Sequence, residues 1–174
     1  QELTDAVHTA RDDVKICCQL YHGGAYAFPQ IIGKKPIAPS EVYSNFSNTT
    51  PRKMTDEDIE REQKAFADAA LRAKKAGFDA VEVCANAGYL MDQFISPKTN
   101  KRTDEYGGDL EDRLRFPKET LELIRTTIDD FLVGYRISGD DFVPESNTYK
   151  EKAVVAEELS EYLDYYNVTG GWHE

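Results

Sequence analysis

Several polar side chains end short apolar runs, at positions where a strand that served structure alone would not need them. Gln19 ends the first of these runs, Cys84 the second and Arg136 the third. A guanidinium in an apolar strand must be paired or must face a ligand, because an unpaired buried charge is very costly. The amide of Gln19 carries donors and an acceptor, which suits the polar edge of a heterocycle. Arg136 could instead pair with Asp140 or Asp141, and the amide could be satisfied in the core, so the residues alone leave both interpretations open.

Two further side chains near strand ends could transfer protons. Tyr89 follows the second apolar run, and His173 follows the fourth. A phenol remains protonated at neutral pH and can donate its proton at the moment a carbanion forms. Tyr89 could equally be a buried structural tyrosine, and His22, which follows the first run, is expected to be structural.

The elements that must place these residues follow a repeating order of strand, loop and helix. This order predicts a parallel α/β domain. The loops after the strands are longer and richer in unusual polar residues than the turns before them, so we expect the chemistry at the carboxyl ends of the strands. No Gly-rich dinucleotide or phosphate motif occurs, which favours a barrel over an open dinucleotide-binding sheet. The predicted strands cover residues 14–20, 78–84, 131–137 and 165–169.

Three helices are predicted between these strands. Thr55 and Asp58 resemble a capping box at the start of the first helix, and Gly77 is a suitable stop. Pro117 should kink or restart the second helix. The third helix is predicted over residues 150–163.

A long segment, residues 25–53, separates the first strand from the first helix. It is rich in Pro, Ser and Asn and has no helical period, which predicts a loop on the surface. Connections of this length are uncommon in compact domains and usually carry function.

The chain has 174 residues and a net charge of −11, which limits the classes of function. Nucleic acid binding is disfavoured because it needs clustered Lys and Arg. No apolar run approaches the roughly 20 residues of a membrane-spanning helix, and the first residues lack the basic and apolar parts of a secretory signal. The three cysteines, Cys17, Cys18 and Cys84, have no metal-ligand spacing. We therefore expect reduced thiols in a cytoplasmic protein without a metal site.

Four longer motifs are more specific. Residues 19–24 read Gln-Leu-x-His-x-Gly, and residues 134–138 read Gly-Tyr-Arg-Ile-Ser. Residues 88–108 begin Gly-Tyr-Leu and end Asp-Glu-Tyr-Gly-Gly, and residues 167–174 read Asn-Val-Thr-Gly-Gly-Trp-His-Glu. Taken in the order in which they occur along the chain, the motifs resemble those of the Old Yellow Enzyme or NADH:flavin oxidoreductase family. The last one is similar to the branch that contains 2,4-dienoyl-CoA reductase and 2-enoate reductase.

The resemblance implies a TIM (β/α)8 barrel that binds FMN. This chain would be a central, incomplete segment of it, about strands three to six, with no second domain in residues 1–174. On the family pattern Gln19 would hydrogen-bond the pyrimidine edge of the flavin, and the charge of Arg136 would stabilise the anion of reduced flavin. Tyr89 would protonate the α-carbon of an activated alkene whose β-carbon receives hydride, and His173 would assist Tyr89. The implied substrate is an enoate, an enoyl or dienoyl thioester or an enone, and the implied donor is NAD(P)H.

Two departures from the family pattern bear on the substrate. Many members have His, and then His or Asn three residues later, at the positions of Cys84 and Ala87. Because a thiol is a weak donor and alanine has none, Cys84 would lie at the substrate position without gripping a carbonyl, as in the branch that takes thioesters or carboxylates. Ala25 stands where the family usually has Arg.

The resemblance places other cofactors of the larger relatives, a 4Fe-4S cluster, FAD and NAD(P)H, outside this segment. The expected partner is a small-molecule substrate; neither nucleic acid nor a membrane is expected, and a homo-oligomer is left open. A four-stranded slice of a barrel exposes unpaired strand edges, so we expect the isolated chain to bind FMN weakly or not at all.

Two other interpretations compete with an enzyme segment. One is a non-catalytic barrel fragment that needs a partner or the rest of the chain to fold and bind flavin. The other is a barrel hydrolase that uses carboxylates such as Glu82 and Asp140. The hydrolase does not account for Gln19, Arg136 and the segment around Tyr89 together.

Overall fold

The computed structural model describes residues 1–173 and places four parallel strands in one sheet. The elements in chain order are α1 (Glu2–Ala10), β1 (Cys17–Leu20), α2 (Pro29–Ile32), β2 (Ile37–Ala38), β3 (Arg52–Lys53), α3 (Asp56–Lys75), β4 (Ala80–Ala85), α4 (Leu90–Ile95), α5 (Leu110–Arg113), α6 (Arg115–Thr127), β5 (Leu132–Ser138), α7 (Tyr149–Leu159) and β6 (Tyr165–Thr169). The main sheet has the order β1-β4-β5-β6, and β2 and β3 form a separate pair. The predicted parallel α/β architecture is confirmed.

The first strand begins later than predicted, at Cys17 rather than at residue 14. Just before it, the backbone amide of Ile16 donates to the Asp79 carboxylate at 2.9 Å. The carbonyl of Ile16 accepts from the Asp79 amide, also at 2.9 Å. A side chain therefore takes a hydrogen bond that strand pairing would otherwise make.

The two faces of the main sheet differ in chemistry because side chains alternate along each strand. One face is apolar and joins a core with buried residues of α3, α6 and α7. Its central members are Val81, Val83, Ala85, Val133, Tyr135 and Ile137. The opposite face carries Gln19, Glu82, Cys84, Arg136 and Asn167. This second face, the polar face, positions the candidate site.

The helix signals in the sequence are confirmed in detail. Thr55 and Asp58 form a reciprocal capping box at the start of α3, and Gly77 follows its end with a φ of 86°. The second predicted helix breaks at Leu114, between α5 and α6. Pro117 thus lies in the first turn of α6, where its missing N–H removes no intrahelical bond.

The periodic pattern does not predict α1 or α4. All six residues of α4 are buried, so this helix shows no alternation between a polar and an apolar face. Residues 25–53, predicted as a loop, instead contain the short elements α2, β2 and β3, and a 3-10 turn at Gly24–Tyr26 begins the segment. Among the helices of residues 1–173, none combines the length and the apolar character needed to cross a bilayer.

Candidate functional site

The polar face brings residues of four strands side by side. Gln19 lies beside Glu82 in the register of β1 and β4, and Cys84 lies beside Arg136 in that of β4 and β5. The Nε2 of Gln19 donates to Glu82 Oε1 at 2.7 Å, and the Nδ2 of Asn167 donates to Glu82 Oε2 at 3.2 Å. Glu82 is therefore held by amides from both sides, which does not suit the free carboxylate of a hydrolase.

The guanidinium of Arg136 is half-buried on β5. It has no hydrogen bond or ion pair with any residue from 1 to 173, and its sequence-predicted partners are engaged elsewhere. Asp140 accepts from two backbone amides of its own loop, at 2.8 and 3.0 Å, and Asp141 lies 3.0 Å from Lys152. The charge of Arg136 is thus not neutralised by a direct contact within the described residues.

Cys84 lies under this charge and is only 3% exposed. Its Sγ donates to Oδ1 of Asn86 at 3.2 Å. Burial raises the pKa of the Cys84 thiol, against the opposing effects of Asn86 and Arg136. Cys84 is therefore a neutral thiol at neutral pH, and it offers a ligand no charge and only a weak donor.

Tyr89 and His173 come together from the loops that follow β4 and β6. Ala87 and Trp172 form a parallel bridge between these loops, and the His173 amide donates to the Ala87 carbonyl at 3.2 Å. The rings of Tyr89 and His173 are in edge contact, with centroids 5.5 Å apart. Burial raises the pKa of Tyr89, so its phenol is protonated at neutral pH.

Tyr89 also borders a cavity of about 560 Å³. Tyr21 and Tyr26 contact the Tyr89 ring edge-on, at centroid distances of 5.3 and 6.0 Å. The cavity is mainly apolar and aromatic, with two lysines in its wall, and it can hold the apolar part of a small molecule. Its lining includes Tyr21, Tyr26, Phe28, Ile31, Lys34, Lys35, Phe46 and Tyr89.

Gly88, the residue before Tyr89, is held at both of its backbone polar atoms. The amide of Gly88 donates to Oδ2 of Asp92 at 3.1 Å, and its carbonyl accepts from Nε2 of Gln93 at 2.6 Å. Gly88 has a φ of 88°, and a Cβ there would collide with the Tyr26 hydroxyl. Glycine is required at this position for its conformation and for the lack of space.

Ser138, at the end of β5, joins the two loops that carry Tyr89 and His173. Its Oγ accepts from the Ala87 amide at 3.1 Å and donates to the Gly171 carbonyl at 3.0 Å. Sequence reasoning missed Ser138 and Gln93, although both stand in motifs that carry the resemblance. It also missed Asp92, for which no sequence signal exists.

His22 has the structural role expected for it. Its Nδ1 accepts from the Gly24 amide at 3.0 Å, and its Nε2 lies 3.7 Å from Oε2 of Glu62. Burial lowers the pKa of His22. Within residues 1–173, no group of three or more His, Cys, Asp or Glu side chains could hold a metal ion.

Comparison with known proteins relates this arrangement to a family. The model for the NADH:flavin oxidoreductase / NADH oxidase family matches residues 1–170. The chain is 44% identical over 176 residues to a metal reductase of Desulforamulus reducens, covering 100% of this chain and 26% of that protein. It is 43% identical over 148 residues to a cinnamate reductase of Clostridium sporogenes, covering 83% of this chain and 22% of that protein.

A solved structure of 2-naphthoyl-CoA reductase in complex with 2-naphthoyl-CoA has the same fold. It matches with a TM-score of 0.92 and 32% identity, over 99% of this chain and 28% of that chain. The predicted fold class, a TIM barrel of which only some strands are present, is confirmed. The chain spans about a quarter of the length of these relatives.

Proposed function

The chain belongs to the NADH:flavin oxidoreductase / NADH oxidase family, and from this premise we propose that it is the central segment of an FMN-binding barrel domain that reduces an activated C=C bond. It would supply about strands three to six of the barrel, and NAD(P)H would be the electron donor of the whole protein. The observation that carries the proposal is Arg136, a half-buried cation without a polar partner in residues 1–173, on the same sheet face as Gln19.

The residues of the polar face fit a flavin ring. The side chain of Arg136 is half-buried, and its positive charge has no ionic partner in residues 1–173. Such a charge favours an anionic edge of a heterocycle. Gln19 is exposed on β1, and its amide still has an acceptor and a donor hydrogen beyond the bond to Glu82. FMN, when bound, supplies the hydride that reaches the β-carbon of the substrate. The proposed task of the chain's own side chains is to bind the flavin and to orient it toward the substrate.

Tyr89 is the proposed proton donor, and His173 is the residue that assists it. The pKa of Tyr89 is raised by burial, so the phenol holds its proton until negative charge develops on the α-carbon. The proton then passes from Oη of Tyr89 to that carbon. The exposed ring of His173 is in contact with Tyr89, and its proposed role is to return a proton from solvent to the phenolate.

The proposed substrate is an enoate, an enoyl or dienoyl thioester or an enone. Two relatives support a carboxyl-derived activating group, because one is named cinnamate reductase and another binds 2-naphthoyl-CoA. Cys84 is proposed to border the substrate as a neutral thiol. With Cys84 neutral and Ala87 without a polar group, the activating carbonyl must be gripped by other residues.

A second candidate function is reduction of a metal ion, since the chain is 44% identical to a protein named metal reductase. A metal acceptor takes electrons without any proton being delivered to carbon. Tyr89 would then be dispensable, which makes this residue the point at which the two functions can be separated.

The test is Tyr89→Phe in the complete flavoprotein, with Tyr149→Phe as the matched control. Tyr149 begins α7, is 63% exposed and does not line the cavity beside Tyr89. Tyr89→Phe should slow alkene reduction by roughly 100- to 10,000-fold, the usual contribution of a general acid. Reduction of the bound flavin by NADH, measured by its absorbance, should stay within about twofold of the wild-type rate, because this step uses no proton from Tyr89.

Tyr149→Phe should leave both steps unchanged. Alkene reduction at the wild-type rate in Tyr89→Phe would remove the assigned role. If alkenes are not reduced by the wild-type protein while ferric iron is, the metal-reductase function replaces the proposed one.

A further inference from the structure

A fully buried ion cluster lies behind the loop that carries Tyr89. It consists of Asp92 on α4, Asp141 in the loop after β5 and Lys152 on α7. The Nζ of Lys152 lies 2.5 Å from Oδ1 of Asp92 and 3.0 Å from Oδ1 of Asp141. The two aspartates are 0% exposed and Lys152 is 2% exposed. The cluster therefore combines two carboxylates and one ammonium group out of contact with water.

Such a cluster is not explained by stability. Burial of ions is costly, and apolar residues of similar volume often stabilise a fold as well or better. Burial and the nearby Asp141 raise the pKa of Asp92 to about 6, although Lys152 opposes this shift. We therefore explain the burial of these three ionisable side chains by the backbone segments that they hold in place.

On one side the cluster holds the backbone amide of Gly88, the residue before Tyr89. Oδ1 of Asp92 faces Lys152, and its Oδ2 accepts from the Gly88 amide at 3.1 Å. The side chain of Asp92 is thus oriented by Lys152 at one oxygen and holds the backbone at the other. Tyr89, the next residue, occupies the N-cap position of α4, so its direction depends on how the backbone of Gly88 is held.

On the other side the cluster reaches the end of α4 and the loop of His173. Oδ2 of Asp141 accepts from Oγ of Ser146 at 2.6 Å, and that hydroxyl also contacts Oγ of Ser96 at 2.6 Å. The carbonyl of Asp140, next to Asp141, accepts from the Gly171 amide at 2.9 Å. The same loop thus connects the cluster to the segments that carry both proposed proton-transfer residues.

We infer that Lys152 is a positioning residue. It acts through Asp92 and the backbone amide of Gly88 to aim the Tyr89 hydroxyl at the α-carbon of the substrate. Lys152 does not line the cavity beside Tyr89, so it has no direct part in binding there. The inference rests on the proposed function, because it assumes that Tyr89 delivers a proton. It predicts that loss of Lys152 impairs only the step that Tyr89 serves.

The first test is Lys152→Met in the complete flavoprotein, with Lys118→Met as the matched control. Lys118 on α6 forms an ion pair at 2.6 Å with Glu158 of α7, the helix that also carries Lys152. This pair lies at the surface. Lys152→Met should slow alkene reduction by about 10- to 100-fold, since a small misplacement of a reacting group has effects of this size. Flavin reduction by NADH should change by less than about twofold, and Lys118→Met should affect neither step.

The second test is a double-mutant cycle with Tyr89→Phe, which separates positioning from general damage. If Lys152 acts through the Tyr89 hydroxyl, Lys152→Met should slow alkene reduction by less than about threefold once that hydroxyl is gone. An equal further loss in the Tyr89→Phe background, or an equal loss in flavin reduction, indicates a merely structural role and overturns the inference.

A third variant covers the case in which Lys152→Met does not fold. Asp92→Asn combined with Lys152→Met removes both charges of one pair and leaves an amide oxygen that can still accept from Gly88. We expect faster hydrogen exchange at the Gly88 amide and an alkene-reduction rate at least about tenfold below wild type. Wild-type exchange and wild-type rates would contradict the inference. A silent Tyr89→Phe would instead refute the proposed function.

Discussion

The two ends of the main sheet use polar side chains in opposite ways. At the amino ends, Asp79 accepts from the Ile16 amide at 2.9 Å and contacts His8 at 2.8 Å and Lys15 at 3.0 Å. At the carboxyl ends, Arg136 has no polar partner within residues 1–173. Both residues belong to the same four-stranded unit, so the contrast is one of position along the strands.

The next strand pair repeats the arrangement at the amino ends. Asp164, just before β6, accepts from the Val133 amide at 2.8 Å and pairs with Arg125 at 2.7 Å. Arg125 also donates to the carbonyls of Tyr162 and Phe131. Asp79 and Asp164 are thus both satisfied by the chain itself, which stabilises the fold.

At the carboxyl ends the chain satisfies the backbone of the loops but not two of the side chains proposed for the site. Ser138 and Asp92 hold the peptides of the two loops. The hydroxyl of Tyr89, like the guanidinium of Arg136, has no hydrogen-bonding partner within the described residues. The contrast teaches that the chain satisfies its own backbone at this end, and we propose that the two unpaired groups serve a bound molecule.

The strongest test of this contrast replaces one arginine at each end of the sheet by methionine. Arg136→Met should lower the turnover of the complete flavoprotein by roughly 100- to 1,000-fold, since it removes a preorganised charge. In the flavin-free protein it should leave the free energy of unfolding nearly unchanged, because no polar partner in residues 1–173 is lost. Turnover and the reduction potential of the bound flavin measure the first effect, and urea unfolding measures the second.

Arg125→Met is the control for that experiment. It should lower stability without changing turnover at saturating FMN, because all its contacts lie at the amino ends. A stability loss in Arg136→Met as large as in Arg125→Met would erase the proposed difference between the two ends.

A smaller effect, on stability alone, is expected for Asp79→Asn. The substitution should lower the free energy of unfolding by about 2 kcal/mol at neutral pH, the usual range for hydrogen bonds to a charged group. The Ile16 amide, followed by His8 and Lys15, holds the pKa of Asp79 well below its ordinary value of 3.8. The stabilisation is therefore fully present above that value and is lost as the pH falls below about 4.

This pH dependence gives the measurement its internal control. The difference in unfolding free energy between wild type and Asp79→Asn should shrink as the pH is lowered from 7 to about 3. A difference that stays constant over this range would show that ionisation of Asp79 does not stabilise the amino end.

The smallest expected effect comes from a structural device outside both groups of side chains. Thr55→Ala removes the capping box of α3 and should lower stability by about 1 kcal/mol. Turnover should not change, because the cap satisfies only backbone and side-chain groups of α3. A large fall in turnover would mean that the cap also positions the site.

Most of the fold could be predicted because its signals are local. The four strands are apolar runs, and the capping box of α3 lies within four residues of chain. The position of the break in the second predicted helix, at Leu114, follows from Pro117 because proline is tolerated only in a first turn. In contrast, α4 is buried on all sides and has no period that a sequence pattern can reveal.

The candidate site divides along the same line. Residue types and motifs were sufficient to select Gln19, Arg136, Tyr89 and His173, because each stands at a strand end where parallel strands direct their loops to one edge. The sequence by itself thus determined the fold class and selected the candidate side chains, whose binding roles stay a prediction. Only the tertiary structure decided which of them are satisfied and what holds them. The burial of Lys152 between two carboxylates depends on residues distant in the chain, and no local pattern encodes such a contact.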